Sequence, residues 1–184
     1  MDGKQLDKGE TDMKGMGDIK RRMRSEIACM NKTLVLIIAG ACVLLGVLFA
    51  ISGVDKYVYW YCFQPKCAMA PFFMVLFWII AYAAFGASVA IALAAPCYRS
   101  QTAKKRAAIL AACTLVLCYV WIPVVYKAAS FFLATLLVAV IVICLAVLFS
   151  MFTRISKLAS WGILLFAAWM LYILYYSFTL FLLN

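Results

Sequence analysis

The sequence predicts an all-α membrane protein, a five-transmembrane-helix bundle preceded by a disordered N-terminal tail. Three observations predict it. Of the 184 residues, 68% are hydrophobic and 13% charged, against about 45–50% and about 25% in soluble domains. Five charge-free stretches are each long enough to cross a hydrocarbon core of about 30 Å, which takes about 20 helical residues. The acids are confined to one end: Asp2, Asp7, Glu10, Asp12, Asp18, Glu26 and Asp55 are all of them.

From Lys56 to Asn184 there is no Asp, Glu or His. That excludes paired-carboxylate hydrolysis, Ser-His-Asp chemistry and His or carboxylate metal sites in this body. It also excludes the buried acid relay of proton-driven pumps. The expectation is therefore no enzyme, no catalytic residue, no metal and no cofactor. Nothing in the sequence points to nucleic acid.

Residues 1–32 form the first unit. They are polar, contain glycine and lack aromatics, which reads as disorder. The tail is too acidic for a transit peptide. The cluster Lys20, Arg21, Arg22 and Arg24 precedes the first span. It reads either as a topology determinant or as an attraction to anionic membrane lipid.

Residues 33–184 form the second unit. The spans run Thr33 to Val54, Pro71 to Ala95, Ala107 to Tyr126, Ala128 to Phe152 and Leu158 to Leu183. Each must be a helix, because lipid cannot satisfy backbone groups. The first is too long for a secretory signal and no cleavage site follows it. With five spans, the tail, Pro96 to Arg106 and Thr153 to Lys157 share one side. That side holds every Lys and Arg except Lys56, Lys66 and Lys127. The positive-inside rule then predicts a cytosolic N-terminus. Gly86 and Ala90, Ala107 and Ala111, and Ala108 and Ala112 are spaced four apart, which allows close helix contact or a homodimer.

Aromatic residues recur on helical faces. Trp78, Tyr82 and Phe85 share one face of span two. Thr114, Cys118 and Trp121 do so in span three, and Trp169, Tyr172 and Tyr176 in span five. At 1.5 Å per residue, Trp78 lies about 10 Å below the non-cytosolic face, Tyr82 about 16 Å and Trp121 about 8 Å. Trp169 lies about 20 Å down, Tyr172 about 16 Å and Tyr176 about 10 Å. An interfacial belt suits Tyr57, Tyr59, Trp60, Tyr61 and Tyr126. It does not suit Tyr82, Trp169 and Tyr172, whose polar atoms need partners at that depth. These face the bundle, either as core packing or as the wall of a ligand cavity. Pro123 removes a backbone donor near the end of span three and predicts a kink or a stop. Cys42, Cys113 and Cys144 read as small apolar residues. Cys62 and Cys67 share one loop, where a disulfide depends on an oxidising compartment. Cys97 is placed for palmitoylation.

Three motifs, in order and in the right spans, make the sequence resemble the TspO/MBR family. This is the family of the translocator protein, or peripheral-type benzodiazepine receptor, and the bacterial tryptophan-rich sensory proteins. The family pattern V-W-x-x-L-Y-x-x-M-G is matched by Phe77, Trp78, Ala81, Tyr82, Phe85 and Gly86. The pattern N-W-x-W-x-P-x-F-F is matched by Cys118, Tyr119, Trp121, Pro123, Val125 and Tyr126. In span five, S-x-L-A followed by W and N is matched by Ser156, Leu158, Ala159, Trp169 and Ser177. Cys118 and Ser177 stand where the family carries Asn, and Leu137 where it often carries an acid. The sterol-associated pattern fails, because no Lys or Arg follows Tyr172, Tyr175 or Tyr176.

The resemblance implies a five-helix bundle that binds a hydrophobic ligand, a porphyrin-like tetrapyrrole or a lipid, beneath the first loop. It implies ligand contacts at Trp78, Tyr82, Trp121, Pro123, Trp169, Tyr172, Tyr176 and Ser177. Trp60 and Tyr61 would form a lid. Binding, transport or sensing in an endomembrane or the mitochondrial outer membrane would follow. The alternative is an interaction or scaffold protein that keeps the fold without the ligand.

Overall fold

The computed structural model describes residues 32–53, 63, 65, 68–95 and 101–184. The expected tail, Trp60 and Tyr61, and Cys62, Cys67 and Cys97 lie outside the described residues. Among the described residues there are five helices: α1 (Lys32–Gly53), α2 (Pro71–Ala94), α3 (Gln101–Tyr126), α4 (Phe131–Ile155) and α5 (Lys157–Leu183). All five are long and apolar enough to cross a membrane. The outer surface confirms the solvent: Leu36, Ile37, Leu44, Leu48, Phe72, Ile109, Ile143, Trp161 and Leu182 are all exposed. In water such a surface would aggregate; in lipid tails it is matched.

Helix boundaries differ from the expected spans at three places. Helix α3 begins at Gln101, so Lys104, Lys105 and Arg106 ride on a helix, not a loop. Lys104 Nζ donates to the Ala95 carbonyl, one of the acceptors left over at the end of α2. Helices α3 and α4 are joined by residues 127–130, and α4 and α5 by Ser156 alone. Ser156 is the α5 N-cap, its hydroxyl accepting from the Ala159 N–H at 3.2 Å. The Ser and Ala of the S-x-L-A motif are thus the cap and its donor.

Pro123 does not stop α3, which continues to Tyr126. A proline this near the C-terminus removes one ladder bond, and the turn is closed otherwise. The Pro123 carbonyl accepts from both Lys127 and Ala128 at 3.0 Å. Ala129 then takes φ 50°, a left-handed position usually given to glycine.

Helix α1 packs on α2, α2 on α5, α5 on α4, α4 on α3, and α3 back on α1. The helices close a ring in the order 1-2-5-4-3. The half of the ring away from the α1–α2 loop is held by small residues. A Cβ on Gly86 would lie 2.7 Å from the Ala39 Cα, so α1 and α2 touch backbone to backbone there. A Cβ on Gly162 would overlap the Ser88 hydroxyl and lie 2.9 Å from the Ala84 carbonyl oxygen. Ala90, Ala107 and Ala111 are buried as the spacing implies, whereas Ala112 is exposed and Ala108 half-buried. A stripe of small residues does not itself say which side faces in.

A cavity walled by aromatic rings

The half of the ring nearer the α1–α2 loop is filled by rings instead. Trp78 sits at the centre. Its ring centroid is 5.1 Å from Tyr82, 5.7 Å from Trp121 and 5.8 Å from Trp169. Trp169 stacks on Tyr172 at 5.2 Å and on Phe77 at 5.3 Å. Separations of 4.5–7 Å with offset or edge-on geometry are those that aromatic pairs favour. The three helix faces read from the sequence therefore converge.

Equal depth from each helix's own end does not give the true level, however. The Met69 N–H, just before α2, donates to the Tyr172 hydroxyl at 3.3 Å. Tyr172 is eleven residues before the end of α5. The last turns of α5 therefore project past the start of α2. There Asn184 Oδ1 accepts from the Phe63 N–H at 3.0 Å, and Asn184 Nδ2 donates to the Phe63 carbonyl at 3.3 Å. Helix α5 has 27 residues, about 40 Å.

Beside Trp78 lies a cavity of about 190 Å³. Helix α1 supplies Val43, Gly46, Val47 and Ala50, and the loop supplies Ala68 and Met69. Met74, Val75, Trp78, Ile79 and Tyr82 of α2, Trp121, Ile122 and Tyr126 of α3, and Tyr176 of α5 complete the wall. None of these side chains is charged. Gly46 is where the Tyr82 ring meets α1: a Cβ there would lie 2.7 Å from two ring carbons.

Of the residues expected to bind a ligand, Trp78, Tyr82, Trp121 and Tyr176 line this cavity. Four do not. Ser177 is buried and accepts from Trp121 Nε1 at 3.2 Å, so it positions a wall residue. Tyr172 receives the Met69 N–H. Trp169 lies behind Trp78, at the α2–α5 seam. Pro123 is half-buried, off the wall. A helical face spans more than one neighbour, and only packing assigns each residue.

The sequence reading passed over the α1 wall and Tyr119. Tyr119 stacks on Phe49 at 5.2 Å, and its hydroxyl donates to the Cys42 carbonyl at 2.7 Å, tying α3 to α1. Its place in the third-helix motif was the available signal. The α1 wall carries no polar or aromatic mark and leaves no such signal. Two buried polar atoms, Tyr82 Oη and Trp169 Nε1, have no hydrogen-bond partner among the described residues. Leu137 packs partly against the core.

Fold and cavity together define an integral membrane protein: a closed five-helix ring with an aromatic-walled cavity at one end, uncharged among the described residues. The profile of the TspO/MBR family matches residues 34–183, nearly the whole chain. The chain belongs to the TspO/MBR family. No individual curated protein matches it.

Proposed function

We propose that this protein binds a hydrophobic small molecule, a tetrapyrrole or a lipid, in the cavity at the loop end of the bundle. The protein acts by binding, and through it transport or sensing, rather than by catalysis. The observation that carries the reading is the wall itself. Trp78, Tyr82, Trp121 and Tyr176 come from three helices to one uncharged space. Sites for apolar ligands have this make-up. Recognition would be by ring stacking and shape, since Trp121 already spends its N–H on Ser177.

A cavity of about 190 Å³ is smaller than the about 300–1,000 Å³ of drug-sized sites. A whole macrocycle would therefore have to widen it, and the α1 side is the side that can yield. Among the described residues of α1, only Cys42 and Gly46 are buried. The charge asymmetry of the sequence supports a cytosolic N-terminus, and the family points to an endomembrane or the mitochondrial outer membrane.

Titration of the purified protein with protoporphyrin tests the reading through tryptophan fluorescence. Saturable quenching is expected, with affinity about tenfold weaker in Trp78→Ala, the loss of one good aromatic contact. Trp169→Phe should bind nearly as well, because that ring stands off the cavity. Equal affinity in wild type and Trp78→Ala would sink the site. Absence of saturable binding would favour the scaffold reading, in which the fold alone is kept.

A further inference from the structure

We infer that the cavity is filled sideways from the bilayer, through the seam between α1 and α2, by the hydrocarbon chain of a membrane lipid. This deepens the proposed binding function and rests on it. The seam is wedge-shaped. Toward the far end, Gly86 brings α2 onto the backbone of Ala39, and no space is left. Next, the Tyr82 ring lies against Gly46. Toward the loop, the cavity itself lies between the two helices, from Val43 to Ala50 on one side and Pro71 to Tyr82 on the other. Three wall residues, Val47, Val75 and Ile79, are at the same time 39%, 58% and 38% exposed on the outer surface. On this seam only the wall residues' own side chains stand between the cavity and the outside. These three sit on the α1–α2 seam of two membrane-spanning helices, so what lies outside is lipid.

The size and chemistry of the space select the guest. An apolar cavity of roughly 150 Å³ stays dry in water and takes a benzene-sized guest. About 190 Å³ accommodates one ring or the end of an aliphatic chain. The wall offers no charge among the described residues, and the Tyr82 hydroxyl is itself buried. An empty cavity forfeits the dispersion contacts of its lining. Next to hydrocarbon the filler is always present, and no hydrophobic effect opposes its transfer from one apolar medium to another. The chain end enters and the headgroup stays at the interface.

Photolabelling tests the inference on the full chain in lipid nanodiscs. The probe is phosphatidylcholine with a diazirine midway along one acyl chain, and adducts are mapped by peptide mass spectrometry. Adducts are expected on Tyr82 and Trp121, which line the cavity and are 3% and 1% exposed. Trp161, on the outer surface, serves as internal reference. Ala50→Trp should fill the space and lower the Tyr82 and Trp121 adducts about tenfold relative to Trp161. Ala50→Leu should lower them less, and it keeps the comparison if the larger side chain prevents assembly. Adducts confined to the outer surface, or unchanged in both variants, would overturn chain entry. Protoporphyrin binding without adducts at Tyr82 and Trp121 leaves the pocket but removes the chain. Adducts there without protoporphyrin binding keep the chain and remove the tetrapyrrole.

Discussion

The two halves of this bundle solve the same packing problem in opposite ways. The half away from the α1–α2 loop removes side chains until backbones meet, at Gly86 on Ala39 and at Gly162 on Ser88 and Ala84. The loop half inserts the largest side chains available and leaves about 190 Å³ unfilled. In a membrane there is no hydrophobic force between helices, so dispersion contact is what holds them. Small residues maximise that contact and leave no room. Large rigid rings cannot tile a five-helix interior completely, and the remainder is a cavity. The fold is secured in one half so that the other can stay open.

Breaking the closed half should have the largest effect. Gly162→Val should cost about 3 kcal/mol, the upper end of overpacking costs, because the Ser88 hydroxyl it meets is itself bonded to the Ala84 carbonyl at 2.7 Å. Heating in detergent followed by size-exclusion chromatography reads the loss. Gly40→Val is the control, since nothing lies within 4 Å of a Cβ there, and its unfolding temperature should stay within error of wild type. A comparable loss in both variants would show that the close contact is not what holds the half together.

In the loop half, Ser177→Ala should cost about 1–2 kcal/mol by leaving the buried Trp121 N–H unpaired. Intrinsic fluorescence should also shift, reporting the altered indole environment. A neutral result would mean that this hydrogen bond contributes nothing to the wall. Tyr82→Phe should behave in the opposite sense. Its hydroxyl is buried without a partner among the described residues, so removing it should stabilise the empty protein by up to about 1 kcal/mol. Destabilisation on the same assay would mean that the hydroxyl has a partner in the membrane. The smallest effect is expected at the α3–α4 turn. Ala129→Gly relieves a residue at φ 50° and should stabilise by about 0.5 kcal/mol, read from thermal unfolding.

Much of this was legible in the chain, for identifiable reasons. Spans announce themselves because lipid demands about 20 apolar residues and an internally bonded backbone. The faces Trp78–Tyr82–Phe85 and Thr114–Cys118–Trp121 are set by the helix period, and all but the half-buried Trp78 are buried in the bundle. Ser156 was visible within its motif, though its role as a cap was not. The pairings were not legible. Nothing in the sequence says that Ser177 receives the Trp121 N–H, that Tyr172 holds Met69, or that Trp169 stands behind Trp78. Gly162, the most closely packed of the described glycines, has no small partner four residues away to mark it.

By itself the sequence determined an all-helical membrane body of five spans, its family and the bare chemistry open to it. There is no Asp, Glu or His after Asp55, so carboxylate and imidazole chemistry is closed to this body. Those properties are local: they follow from composition, period and length. Only the tertiary structure decided the ring order 1-2-5-4-3, the projection of α5 past α2, and the division of aromatics between cavity wall and support. Only it showed that α1, the helix with the fewest buried residues, forms one side of the cavity. A helical face fixes direction about its own axis. Which neighbour meets that face, and at what height, depends on how five helices pack against one another at once.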